Sequence, residues 1–165
     1  FAAAPVSENE APSKFGASDV QDLNWVQLLN AYTCTECGRC TSSCPANQTG
    51  KKLSPRKIMM DTRDRLEEVG KNIDTNKGVF VPDNKSLLND YITPEELWAC
   101  TSCNACVEEC PVNISPLSII MDMRRYLVME QSAAPMPINA MMTNIENNGA
   151  PWQYSQQDRL NWKND

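Results

Sequence analysis

Two stretches decide how this chain is read: Cys34-Thr35-Glu36-Cys37-Gly38-Arg39-Cys40-Thr41-Ser42-Ser43-Cys44-Pro45 and Cys100-Thr101-Ser102-Cys103-Asn104-Ala105-Cys106-Val107-Glu108-Glu109-Cys110-Pro111. Both have the form C-x2-C-x2-C-x3-C-P, and each cysteine of the first run has its counterpart 66 positions later, 34 with 100, 37 with 103, 40 with 106 and 44 with 110. All eight cysteines of the chain lie in these runs. A pattern repeated at one fixed offset marks a duplicated metal-binding device.

Composition narrows what surrounds it. A chain of 165 residues with 41% apolar residues can build one modest core, and 11 prolines point to irregular ends. The net charge of −6 and a pI near 4.7 oppose nucleic-acid binding, which needs clustered positive charge. No apolar run approaches the length of a membrane span. Histidine is absent, which removes Ser-His-Asp and Cys-His catalysis, His-ligated zinc or haem, and Rieske clusters. The six glycines form neither G-x-G-x-x-G nor a phosphate loop, so no nucleotide or flavin site is written in recognisable form. Phe1 in place of Met, followed by Ala2-Ala3-Ala4-Pro5, reads as a piece excised from a longer polypeptide.

The order of the elements echoes the duplication. Residues 1–20 read as an extended lead-in, residues 21–131 as the folded domain and residues 132–165 as a Pro- and Asn-rich tail, with a short helix near Ile138 to Ile145. Asp22 or Asn24 caps a helix into Cys34 whose inward face is expected to be Trp25, Leu28, Leu29 and Tyr32. Ser54-Pro55 starts a second helix, expected to stop at Gly70, with Ile58, Thr62, Leu66 and Val69 inward. Lys51, Lys52, Arg56 and Lys57 place positive charge near its first turn, expected to form a solvated face. Val79-Phe80-Val81 reads as a short strand in the linker. Thr93-Pro94-Glu95-Glu96 is a capping box feeding a helix into Cys100. Ser115-Pro116 starts a helix through about Gln131, with Leu117, Ile120, Met123 and Leu127 inward. Each half is therefore a helix, a cysteine run, a proline and a helix opened by Ser-Pro.

Three chemistries compete for the cysteines. Three thiolates from one short loop suit three corners of an iron-sulfur cube, since C-x2-C-x2-C lets the backbone wrap one edge, and a fourth sulfur must then come from elsewhere. Zinc accepts C-x2-C pairs, but the added C-x3-C-P has no place in a two-pair site. Four disulfides would have to form inside tight loops and in an oxidising compartment. Under a zinc reading the chain is a structural or interaction module; under an iron-sulfur reading it is an electron carrier or a redox sensor. With every cysteine consumed as a ligand, no complete catalytic site remains in the segment.

The run spacing resembles that of two-cluster bacterial ferredoxins, in which the fourth cysteine of each run ligates the other cluster. That resemblance implies two [4Fe-4S] clusters, one on Cys34, Cys37, Cys40 and Cys110, the other on Cys100, Cys103, Cys106 and Cys44. The runs set in helices also resemble the alpha-helical ferredoxin module of heterodisulfide reductase and glycolate oxidase-like iron-sulfur oxidoreductases. The likeness extends through Ser54-Pro55-Arg56-Lys57-Ile58-Met59-Met60, Glu96-Leu97-Trp98, Met123-Arg124-Arg125-Tyr126-Leu127 and Asn147-Asn148-Gly149-Ala150-Pro151-Trp152. It implies an all-α fold and an electron-transfer role. It also implies redox partners: a quinone- or haem-bearing membrane protein on one side and a catalytic iron-sulfur domain of the CCG type on the other. The expected place is the cytoplasmic face of the inner membrane. Thr35, Thr101 and Ser102 are expected near cluster sulfurs, and Ile114 is expected to shield one cluster from water.

Overall fold

The computed structural model describes residues 14–153 and 155–163. Of these, the residues from 14 to 130 form one compact unit and those from 131 onward a second. Within the first unit the helices are α1 (Trp25–Thr33), α2 (Arg39–Ser42), α3 (Pro45–Gln48), α4 (Pro55–Thr75), α5 (Pro94–Ala99), α6 (Ala105–Glu108) and α7 (Pro116–Met129). The second unit holds α8 (Met136–Asn148) and a final 3-10 turn, Gln156–Lys163. The fold is all-α, as the resemblance to the alpha-helical ferredoxin module implies, and no strand occurs among the described residues.

The caps act as the sequence requires. Ser54 accepts from the Lys57 amide, Ser115 from the Ser118 amide, and Thr93 and Glu96 form a reciprocal box, each followed by a proline at the first helical position. The long helix α4 is the spine: α1, α2 and α7 all pack on it, α5 and α6 pack on α7, and α2 meets α6. Ile58, Met59 and Val69 of α4 and Ile119, Ile120, Met123 and Leu127 of α7 fill the core between them. Ala17, Val20, Leu87, Leu88 and Ile92 close its far side.

Four expectations are corrected. First, α4 continues past Gly70 to Thr75. Gly70 keeps helical geometry in open surroundings, and the chain leaves the helix only at Lys77 and Gly78, both at positive φ, where the Gly78 amide donates to the Ile73 carbonyl at 2.9 Å. Second, α1 presents a different face: Trp25 is 74% exposed and Tyr32 52%, while Gln27 and Ala31 are buried. Asn24 and Gln27 cap each other reciprocally, and Gln27 Nε2 donates to Asp122 of α7 at 2.6 Å, which turns the helix so that small Ala31 faces inward. Third, Val79-Phe80-Val81 is not a strand; the Asn72 side chain takes the place of a neighbouring strand by accepting from the Val81 amide and donating to its carbonyl, both at 2.9 Å. Fourth, α7 ends at Met129, and Ile119 rather than half-buried Leu117 joins Ile120, Met123 and Leu127 inside.

Residues 14–20, the end of the expected lead-in, are folded onto the first unit. Ala17 and Val20 are buried, and the Ala17 amide donates to the Asp122 carbonyl at 3.0 Å. Their anchor is Arg65, whose side chain is 0% exposed and whose guanidinium binds the Asp19 and Asp83 carboxylates and the Lys85 carbonyl. One buried cation thus ties three segments distant in sequence. In the second unit α8 carries no buried residue, and Gly149 caps it in the left-handed conformation.

Candidate iron-sulfur site

The two cysteine loops have the same backbone. Glu36 and Ser102, and likewise Gly38 and Asn104, hold paired positive φ values of 58 and 57, 82 and 62. The carbonyls of Gly38 and Asn104 each accept two amides of the short helix that follows, α2 and α6 respectively. The amide of the last cysteine in each run then donates three residues back, Cys44 to Thr41 and Cys110 to Val107, both at 3.2 Å. Left-handed backbone is costly outside glycine, so its recurrence at Glu36, Ser102 and Asn104 shows loops shaped for a common purpose.

Packing of α2 against α6 brings the two runs together. Cys34, Cys37, Cys40 and Cys110 line a single cavity, shared with Cys106 and walled by Met59, Pro111, Val112, Ile114 and Pro116, with Thr35 and Arg56 at its edge. Cys44 and Cys106 are buried, and Cys106 lies close enough to Cys100, Cys40 and Cys44 for their charges to act on it. Cys37 and Cys103 are exposed. Ile114 is buried at the cavity wall, in keeping with a role in shielding it from water.

Donors to sulfur are already in place. The Ile114 amide donates to Cys110 Sγ at 3.3 Å and the Ser102 amide to Cys100 Sγ at 3.4 Å. The Ala105 amide and the Thr101 hydroxyl lower the Cys103 thiol below its usual range. Burial raises Cys40, and burial reinforced by Cys100, Cys40 and Cys44 pushes Cys106 up to about 11. Thiolates gathered this densely repel one another unless a cationic metal core sits among them.

The donor set fits a cluster better than a single ion. A lone zinc takes four ligands converging at about 2.3 Å for sulfur, whereas five thiols, those of Cys34, Cys37, Cys40, Cys106 and Cys110, border one cavity. The thiols instead surround a space, as ligands at the corners of a cube must.

Two charges beside the runs, Arg63 and Arg124, lie outside them and have no signal in the cysteine spacing. Arg63 pairs with Glu36 at 2.5 Å, and Arg124 donates to the carbonyls of Leu97 and Cys100. Both arginines stand nine positions after the serine that caps their helix, Ser54 and Ser115, so a second repeat, offset from the cysteine repeat, was legible there. The basic first turn of α4 is more than a solvated face. Lys57 binds Asp61 at 2.7 Å and Glu96 at 3.0 Å, Lys52 binds Glu95 at 2.9 Å, and Arg56 borders the cavity.

Known proteins carry the same pattern. Residues 33–114 match the model of the 4Fe-4S dicluster domain. The chain is 36% identical over 186 aligned positions to the probable iron-sulfur-binding oxidoreductase FadF of Bacillus subtilis, an alignment covering 95% of this chain and 26% of that protein. It is 33% identical to the EtfAB:quinone oxidoreductase of Syntrophomonas wolfei, over 93% of this chain and 24% of that protein. It is 33% identical to a probable membrane-anchored ferredoxin of Chromohalobacter salexigens, over 95% of this chain and 25% of that protein. The chain therefore spans about a quarter of the length of these relatives. With both cysteine runs inside the matched segment, the chain belongs to the 4Fe-4S dicluster domain family and is an electron-transfer module for two [4Fe-4S] clusters.

Proposed function

We propose that this chain relays single electrons between two clusters of crossed ligation inside a larger, membrane-associated respiratory oxidoreductase. In this reading Cys34, Cys37, Cys40 and Cys110 hold one cluster, and Cys100, Cys103, Cys106 and Cys44 hold the other. When bound, each cluster supplies a one-electron carrier. The supporting observation is that Cys110 borders the same cavity as Cys34, Cys37 and Cys40, while buried Cys44 lies near Cys106. The protein residues do the rest. Ile114, Met59 and Pro116 keep water from one side of the cavity, and the amides of Ile114 and Ser102 donate to ligand sulfurs, which favours a more negative cluster state.

No described helix is long and apolar enough to cross a membrane. Membrane association would come from the rest of a longer polypeptide or from a partner, a reading supported by the names of the relatives. The electron exchange is between a quinone- or haem-bearing membrane protein and a catalytic iron-sulfur domain, at the cytoplasmic face of the inner membrane. The crossing is tested by Cys44→Ser in anaerobically prepared protein, followed by EPR of the reduced state. The signal of the cluster on Cys100, Cys103 and Cys106, identified separately through Cys103→Ser, should be the one lost or altered. Loss of only the other signal overturns the crossed assignment.

A further inference from the structure

The internal repeat places an arginine beside each cysteine run but neutralises only one of them. Arg63 and Arg124 occupy the same position in their Ser-Pro helices, and each reaches the residue two after the first cysteine of its run. In the first half that residue is Glu36, whose carboxylate binds Arg63 at 2.5 Å. In the second it is Ser102, whose uncharged hydroxyl lies 3.5 Å from Arg124.

Arg124 is held in place by other means. Its guanidinium donates to the Leu97 carbonyl at 2.6 and 3.0 Å and to the Cys100 carbonyl at 2.5 Å, and it stacks on the Trp98 ring at 5.0 Å from the centroid. It is half-buried and makes no ion pair among the described residues. A cation in a partly dry position without a carboxylate is costly unless an opposite charge lies near. Cys100, whose carbonyl Arg124 holds, would supply such a charge as a cluster ligand.

We propose that Arg124 is a positioning residue that raises the reduction potential of the cluster on Cys100, Cys103 and Cys106, while Glu36 cancels the corresponding effect of Arg63 at the cluster on Cys34, Cys37 and Cys40. The sign follows from charge: reduction adds one electron to a centre, and a nearby uncompensated cation stabilises the product. Arg56 also borders the first cavity, but it is exposed and water and salt screen it. The inference rests on the electron-transfer reading and on each run holding its own cluster, not on which run gives the fourth ligand.

The test is a potentiometric titration of the full chain with both clusters loaded, followed by EPR, on charge-exchange variants. Arg124→Gln and Ser102→Glu should lower the midpoint of one and the same cluster. Glu36→Gln should raise that of the other. At fixed potential, each should change the ratio of reduced to oxidised cluster by about tenfold, or about 59 mV for one electron. Arg124→Lys, which keeps the charge and loses the fork, should restore most of the shift. Because Arg124→Gln removes bonds that shape the loop, Ser102→Glu, which leaves the Arg124 bonds to the Leu97 and Cys100 carbonyls in place, is decisive where the former loses its cluster. The proposal is overturned if Ser102→Glu leaves both midpoints in place, moves one upward, or acts on the step that Glu36→Gln moves. Wild-type protein lacking iron and acid-labile sulfide would instead remove the electron-transfer reading, so the two failures are distinguishable.

Discussion

At the residue scale, the most consequential side chain outside the cysteines is Arg65. Two carboxylates and a carbonyl converge on a guanidinium with no access to water, so removing it strands Asp19 and Asp83 beside the core. Arg65→Met should lower unfolding free energy by about 3–5 kcal/mol, read by denaturant titration under anaerobic conditions. Arg65 also holds the Asp83 carboxyl down to about 2. A carboxyl depressed in the folded state stabilises the fold fully above its unfolded value near 4 and loses that contribution as pH falls through its folded value. The stability gap between wild type and Asp83→Asn should therefore be constant above about pH 4 and close towards about pH 2. A gap that stayed open at the acid end would show that the pair does not carry the dependence. Gly16 is a second critical position. Its φ is +77, and a Cβ there would overlap the Asp122 carbonyl and the Tyr126 amide of α7. Gly16→Ala should cost about 1–3 kcal/mol or more, whereas the same change at open Gly50 should cost only backbone strain of about 1 kcal/mol.

At the scale of elements, the helix starts are fixed locally and the helix faces are not. Ser54, Thr93 and Ser115 cap the helices their sequences announce, because a cap needs only its own side chain and an amide three residues on. A stop at Gly70 was plausible on the same local grounds, yet glycine only weakens a helix, and α4 outlasts it because Val69 and Ile73 on either side pack against the core. Gly70 has helical backbone and no neighbour within reach of a Cβ. Gly70→Ala should then raise stability by about 0.5–1 kcal/mol, measured by thermal or denaturant unfolding. A loss would mean that the position is strained in a way its open surroundings do not suggest. The face of α1 depended on a long-range bond. Trp25, Leu29 and Tyr32 form as good an apolar stripe as any in the chain, but the link from Gln27 to Asp122 of α7 turns them outward.

At the scale of the molecule, the two halves share one core and bring their cysteine loops together through α2 and α6. Two of those thiols, Cys40 and Cys106, are raised by burial and by neighbouring cysteines, so metal-free protein must keep protons on them or repel itself. Removing iron by chelation after oxidation should broaden the cooperative unfolding transition and lower its midpoint, followed by circular dichroism; an unchanged transition would show that the helices hold the loops without the clusters. The duplicated cysteine runs and the capped helix starts were determined by the sequence alone, since spacing and capping are short-range and survive without knowledge of packing, while the all-α class and the two [4Fe-4S] clusters followed from the resemblance those runs carry to known ferredoxins. Which cysteines share a cavity, where the buried Arg65 finds its carboxylates, and why Arg124 is left without the partner that Arg63 enjoys were decided only by the tertiary structure. Each of those depends on residues tens of positions apart meeting at one point, and desolvation there sets the strength of every charge.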